Sequence, residues 1–145
     1  TGVSDAMRLV NVDKFRETIT AGIDEMQRAG IDVVLLDMQY FPKAEKVRDF
    51  PRFLVAMRQI AEQRRIPILQ RFAIMKNLVT SAQYTPQQLL AADQFHPNDF
   101  SYGCLGSLMA EALQGEVAAP AKAVAKKYPA EPAKQAGAVA PLPVH

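Results

Sequence analysis

Two short apolar segments, each preceded by an amphipathic helix, constrain the fold of this chain more than any other feature. The first covers residues 31–38 and is nearly continuous in apolar side chains. The second covers residues 66–72, and its first four residues are also apolar. Continuous apolar character is typical of strands that are buried on both faces of a parallel sheet. Strands that alternate with helices predict an α/β fold with helices on both faces of that sheet.

The helices are predicted from apolar side chains that recur every three or four residues. One such stripe covers residues 12–29, with Asn11 at the N-cap position and Gly30 after the last turn. The other predicted helices cover residues 51–65, residues 85–90 with Thr85 as the cap before Pro86, and residues 102–112, which Ser101 either caps or begins. Residues 42–51 and 91–101 are predicted to be loops.

Composition divides the 145-residue chain near residue 115. Residues 116–145 hold ten alanines and five prolines but few large apolar side chains, which is typical of a disordered tail. Residues 1–115 are the predicted domain. Because two strands alone do not make a stable sheet, we expect either that the chain pairs with a partner or that its N-terminal half is missing, and that its open sheet edge allows oligomerisation.

Charge and residue counts exclude several kinds of function. A formal net charge of +2 does not indicate a nucleic-acid partner. The single cysteine, Cys104, excludes an internal disulfide, and two histidines, His96 and His145, do not make a histidine-rich metal centre. No apolar run reaches the roughly 18 residues that a membrane helix needs. We therefore expect no metal, no organic cofactor and no membrane insertion.

The densest group of reactive side chains lies at residues 93–102. A catalytic imidazole needs a carboxylate at one ring nitrogen to fix its tautomer and stabilise its cation. Asp93 and His96 are three residues apart, and Pro97 favours an extended backbone at His96. The hypothesis is that His96 is a general base oriented by Asp93. The alternative is that Asp93 caps a turn and His96 is a surface residue.

No nucleophile stands out. The serines considered for this role are Ser4, Ser81, Ser101 and Ser107, and none lies in a Gly-x-Ser-x-Gly motif. Cys104 is predicted in the first turn of the last helix, where a thiolate is stabilised, although a buried structural cysteine is the competing interpretation.

Two blocks of sequence resemble the C-terminal half of an SGNH (GDSL-type) hydrolase. Residues 93–97 are similar to the Asp-x-x-His block of that family, and residues 1–5 are similar to its Gly-x-Asn-Asp block. Their order, their separation, and the strand and helix between them agree with the family. Residues 36–42 and 101–106 also look like bacterial members.

The resemblance implies a flavodoxin-like three-layer α/β/α sandwich that hydrolyses acyl esters of small molecules, carbohydrates or lipids. It makes His96 the base, Asp93 its partner, and Gly2 and Ser4 the oxyanion-hole block. It also implies that the N-terminal strands and the nucleophilic serine lie upstream of Thr1, and it favours a bacterial periplasmic or secreted protein. Ser4 departs from the asparagine of the family, which puts the strength of that oxyanion donor in question.

Two other functions stay open. The first is a non-catalytic binding or scaffold domain of the same fold, which the lack of a nucleophile and the serine at position 4 both favour. The second is a receiver or nucleotide-binding module, which no glycine-rich phosphate loop supports.

Overall fold

Helices account for most of residues 2–114, the part of the chain that the computed structural model describes. The helices are α1 (Val3–Met7), α2 (Val12–Arg28), α3 (Phe50–Arg64), α4 (Arg71–Thr80), α5 (Pro86–Leu89) and α6 (Asp99–Leu113), with a 3₁₀ turn at Ala44–Lys46. The strands are β1 (Leu35–Leu36) and β2 (Ile68–Leu69). The predicted tail at residues 116–145 lies outside the described residues.

The two strands are parallel, as predicted, but each is much shorter than its apolar segment. Leu35 is opposite Ile68 and Leu36 is opposite Leu69. Hydrogen bonds from the Leu35 N–H to the Pro67 carbonyl (2.9 Å) and from the Asp37 N–H to the Leu69 carbonyl (3.2 Å) flank this pairing. A strand extends only as far as a neighbouring backbone forms hydrogen bonds with its N–H and C=O groups. Apolar composition alone does not supply that neighbour. The described residues therefore form a mostly helical α/β structure, and this two-stranded sheet does not establish the predicted three-layer sandwich.

Helix α1 is absent from the sequence prediction, and so is helix α4, in whose place the prediction continues the second strand through Phe72. The helix instead begins at Arg71, and the Gln70 side chain at its N-cap position makes no capping hydrogen bond. The Phe72 N–H donates to the Oδ1 atom of Asp37 over 2.9 Å. The helix is thus capped by a carboxylate from the end of β1, a contact that no local sequence signal announces.

The start and the end of α2 confirm the predicted caps. The Asn11 Oδ1 atom accepts hydrogen bonds from the N–H groups of Asp13 (2.8 Å) and Lys14 (3.2 Å). Gly30 follows the last turn with φ of 74°. These local signals place the ends of the helix correctly because they satisfy terminal N–H and C=O groups within a few residues.

The last two helices confirm one predicted cap and correct the other. At the start of α5, the Thr85 N–H donates to the Gln88 Oε1 atom over 2.9 Å, as expected for a capping box. At the start of α6, the Asn98 Oδ1 atom accepts from the Ser101 N–H over 3.0 Å, so Asn98 is the cap and the predicted cap at Ser101 is wrong. The helix therefore begins at Asp99, three residues before the predicted range.

The core packs α2 against α3. The Phe15 and Phe53 rings meet edge to face with centroids 4.9 Å apart, and both side chains are buried. At the far end of the same pair, Arg64 binds the Asp24 carboxylate through Nε (2.5 Å) and Nη2 (3.0 Å). Arg64 therefore joins the end of α3 to α2 by an ion pair.

The five residues that follow β1, residues 37–41, are called the exit segment below. Each of them is buried or half-buried. The carboxyl ends of parallel strands are where ligand sites form in α/β folds. The exit segment lies at that end, and three other parts of the chain dock on it, as described below.

Gly2 is one of the residues that dock on the exit segment, and its backbone requires a glycine. Its φ is +89°, and a Cβ atom there would lie 3.2 Å from both Cγ and Sδ of the Met38 side chain. We expect Gly2→Ala to lower the free energy of unfolding by about 1–2 kcal/mol, because the substitution adds backbone strain and a steric clash.

The matched control for Gly2→Ala is Gly22→Ala. Gly22 lies inside α2, where an added Cβ meets nothing within 4 Å. Removing a glycine from a helix interior should raise stability by about 1 kcal/mol. Urea denaturation of the two variants and the wild type checks both signs, and a Gly2→Ala variant as stable as the wild type would contradict the assigned backbone strain.

Candidate active site

The loop between α5 and α6 carries the predicted histidine and aspartate and is closed by its own backbone. Leu90 and Pro97 form an antiparallel bridge, and the Ala91 N–H donates to the His96 carbonyl over 2.8 Å. Gln94 adopts φ of 55°, which turns the chain back between Asp93 and His96. The loop therefore has a defined shape even though Asp93, Gln94 and His96 are exposed.

Asp93 and His96 meet directly within this loop. The His96 Nδ1 atom is 2.6 Å from the Asp93 Oδ2 atom. The other carboxylate oxygen, Oδ1, accepts hydrogen bonds from the N–H groups of Phe95 and His96, each over 3.0 Å. Asp93 therefore caps the turn with one oxygen and contacts the imidazole with the other. The turn-capping interpretation and the catalytic interpretation are compatible, because the same side chain makes both contacts at once. Because Nδ1 faces Asp93, Nε2 is the ring nitrogen that can face a reacting group.

The same contacts keep Asp93 ionised. The hydrogen bond to His96, together with those from the Phe95 and His96 backbone, lowers the pKa of Asp93 from 3.8 to about 2. A carboxyl group whose pKa is lower in the folded state stabilises the fold above its ordinary pKa and loses that contribution as the pH falls toward the folded value. The window here is from about pH 4 to pH 2, so Asp93 is a carboxylate throughout the neutral range.

The loop is attached to the exit segment by one hydrogen bond and one aromatic contact. The Gln39 Nε2 group donates to the Phe95 carbonyl over 2.9 Å. The Phe41 and Phe95 rings meet edge to face with centroids 4.9 Å apart. Phe95 in turn contacts the His96 ring at 4.8 Å, with the two planes at 89°. The imidazole is thereby connected to the carboxyl end of β1.

The predicted oxyanion block reaches the same exit segment at a different residue. Gly2 is buried next to Met38 and Phe15 at the start of α1, whereas Ser4 is exposed within α1. The structure thus brings Asp93 and His96 into contact and brings Gly2 to the segment on which their loop docks. The hydrogen bonds described for His96 go to Asp93 and Ala91 and do not involve Ser4.

Ser101, Ser81 and Cys104 have structural partners or surroundings, whereas Ser107 is half-buried inside α6. The Ser101 Oγ donates to the Leu89 carbonyl over 2.6 Å, and the Ser81 Oγ donates to the Asn77 carbonyl over 2.7 Å. Cys104 lies in the second turn of α6, because this helix begins earlier than predicted, and it is half-buried. Burial raises the pKa of its thiol, which favours the structural interpretation over a reactive thiolate.

Sequence reasoning missed Asp37, the charged residue of the exit segment. Asp37 is 0% exposed. Its Oδ1 atom accepts a hydrogen bond from the Phe72 N–H, whereas its Oδ2 atom is buried without a hydrogen-bond partner among the described residues. Arg71 donates from Nη2 to the Asp37 backbone carbonyl over 2.9 Å. Burial raises the pKa of Asp37 from 3.8 to about 6, against the opposing effects of the Phe72 hydrogen bond, Arg71 and Arg58. The available sequence signal was a pair of polar residues, Asp37 and Gln39, directly after an apolar strand.

In residues 2–114, no helix combines the length and the apolar character that crossing a lipid bilayer requires. Within the same range, histidine, cysteine, aspartate and glutamate side chains do not assemble into a group of three or more suited to a metal ion.

Comparison with known proteins gives one family. Residues 1–119 match a family described as the Non-GDSL lipase-like family, and this match covers most of the chain. No curated protein and no solved structure gave a significant match. The family match confirms the resemblance to a lipase-like group that was drawn from residues 93–97 and 1–5.

Proposed function

This chain belongs to the Non-GDSL lipase-like family, and on that premise we propose that it supplies the histidine and the aspartate of a Ser-His-Asp hydrolase of carboxylic esters. Membership of a lipase-like family indicates a hydrolase-like function. The observation that carries the finer proposal is the 2.6 Å contact between His96 Nδ1 and Asp93 Oδ2. It is the contact that sets the tautomer of a catalytic histidine.

The proposed chemistry uses the outer nitrogen of His96 twice. Nε2 takes the proton from a serine hydroxyl as the serine oxygen attacks the ester carbonyl carbon. The imidazolium then gives this proton to the departing alkoxide, which leaves as an alcohol. Water hydrolyses the acyl-enzyme by the same route and regenerates the serine. Asp93 stabilises the imidazolium in each half-reaction and stays ionised, as its lowered pKa allows.

The rest of the proposed machinery follows the resemblance. A serine upstream of Thr1 is the nucleophile, and the N-terminal strands of a three-layer sandwich precede β1. Gly2 and Ser4 form part of the oxyanion hole, with the Ser4 hydroxyl in the place of an asparagine amide. Removing one oxyanion donor costs a serine hydrolase about 10²–10³ in kcat, so Ser4 is a position at which activity can be tuned. The substrate is an acyl ester of a small molecule, a carbohydrate or a lipid.

A serine-directed probe tests the proposal. The protein expressed from its natural coding sequence should react with a fluorophosphonate, and mass spectrometry should place the adduct on a serine other than Ser4, Ser81, Ser101 and Ser107. His96→Ala should abolish labelling, because the serine then has no base, whereas Ser107→Ala should label normally. A folded wild-type protein that neither labels nor hydrolyses p-nitrophenyl acyl esters would favour the non-catalytic scaffold instead.

A further inference from the structure

The proposed catalytic pair lies on an exposed loop, so its position depends on what holds that loop to the fold. The Asp93 and His96 side chains are 50% and 63% exposed. The contacts inside the loop, between Asp93 and the two following N–H groups and between Ala91 and His96, give the loop its shape. They do not determine where the loop lies relative to the carboxyl ends of β1 and β2.

Gln39 supplies a contact that does determine this position. Gln39 is only 8% exposed, and its side-chain amide reaches across 56 positions of sequence to the Phe95 carbonyl, one residue before His96. The adjacent contact between the Phe41 and Phe95 rings is apolar and tolerates sliding, whereas a hydrogen bond prefers a narrow range of distance and angle. The part-buried Phe95 carbonyl would also lose its partner if the Gln39 side-chain amide were removed.

We propose that Gln39 is a positioning residue for the Asp93–His96 pair, acting through the Phe95 carbonyl; this inference rests on the proposed function. The amide is suited to this task because its Nε2 group donates to a carbonyl oxygen. A glutamate of the same size would place a carboxylate oxygen against that carbonyl. A misplacement of about 1 Å can lower a rate by about 10²-fold, so a loop anchor of this kind affects turnover without touching the substrate.

The first measurement is independent of activity. Hydrogen–deuterium exchange of residues 91–97 should be at least tenfold faster in Gln39→Met, which keeps the size of the side chain and removes the donor. Gln39→Glu should give the same result. Gln59→Met is the matched control, since Gln59 lies on exposed α3 surface and contacts Arg16. Unchanged exchange in a folded Gln39 variant would overturn the inference.

The second measurement separates positioning from general stability. In the protein expressed from its natural coding sequence, Gln39→Met and Gln39→Glu should lower kcat for p-nitrophenyl ester hydrolysis by about 10- to 100-fold with KM nearly unchanged. The ring ¹⁵N chemical shifts of His96 should still report a proton on Nδ1, because Asp93 contacts the ring from within the loop. Faster loop exchange with an unchanged kcat would overturn the positioning role.

An inactive wild-type protein and Gln39 variants that do not fold would each give a result different from those above. A wild-type protein that lacks esterase activity would overturn the proposed function, and the exchange experiment would then show an anchor with no catalytic role. If both Gln39 variants unfold, NMR of the wild-type protein tests the contact instead. Nuclear Overhauser effects are expected between the side-chain amide protons of Gln39 and the Phe95–His96 backbone, and their absence would overturn the inference.

Discussion

His96→Ala is expected to lower kcat for ester hydrolysis by several orders of magnitude, on the order of 10⁶-fold if His96 acts as the base of a serine nucleophile. The imidazole has no substitute within its loop, where Asp93 is a carboxylate of low pKa and is therefore a poor base. KM should change little, because His96 acts on the reacting atoms rather than on the bulk of the substrate. Steady-state kinetics with a p-nitrophenyl ester measure both constants. A variant that keeps more than about a tenth of the wild-type kcat would contradict the assignment.

Asp93→Asn probes the same pair more selectively and is expected to lower kcat by about 10⁴-fold. The asparagine oxygen can still accept the Phe95 and His96 N–H groups, so the turn should persist. The side-chain amide then faces Nδ1 as a donor, which favours the wrong tautomer of His96 and removes the charge that stabilises its cation. Asp99→Asn is the matched control, because Asp99 is exposed in the first turn of α6 and is close in sequence. Equal losses in the two variants would show that the effect is not specific to the pair.

Asp37 is expected to make the fold less stable as the pH rises from about 4 through 6. Its pKa is raised from 3.8 to about 6, chiefly by burial, so the folded protein binds the Asp37 proton more tightly than the unfolded chain does. A carboxyl group with a raised folded-state pKa contributes stability below its unfolded value and loses it as the pH rises through the folded value. Two pKa units correspond to about 3 kcal/mol.

Asp37→Asn isolates this contribution, because asparagine mimics the neutral acid and its oxygen can still accept the Phe72 N–H. The difference in the free energy of unfolding between wild type and Asp37→Asn should shift by about 3 kcal/mol between pH 4 and pH 8, with the wild type losing stability. Urea denaturation at a series of pH values measures it, and contributions from other titrating groups cancel in the difference. Asp32→Asn, at an exposed position, is the control. A difference that stays constant across this pH range would show that Asp37 does not titrate there.

Four of the six α-helices in the described residues, and the candidate pair, could be predicted because the interactions that form them are local. The α2 stripe, its Asn11 cap and Gly30 all act within a few residues of one another, and Asp93 lies only three residues from His96. The turn that joins this pair is held by hydrogen bonds from the backbone N–H groups of Phe95 and His96 to the Asp93 carboxylate. Short-range patterns of this kind can be recognised in the sequence because the partners are neighbours in it.

The errors at α4 and at the two strands have the opposite cause, whereas the error at Ser101 is local. Helix α4 was missed because its capping carboxylate, Asp37, comes from 35 residues away. Both strands were predicted too long because an apolar run reports burial, whereas a strand also needs a backbone neighbour at each residue. The prediction of Ser101 as the cap of α6 is wrong because Asn98, three residues earlier, accepts the Ser101 N–H and caps the helix.

The sequence by itself therefore determined the α/β alternation, most helix ends, the turn that holds Asp93 against His96, and the blocks that identify a lipase-like family. Only the tertiary structure decided that Gln39 anchors this turn, that Gly2 packs on Met38, and that Asp37 is buried at the start of α4. Each of these contacts joins residues that lie dozens of positions apart, and each depends on side chains being withdrawn from water together. Burial and long-range hydrogen bonding arise when the chain packs, so they appear in the fold and not in the pattern of neighbouring residues.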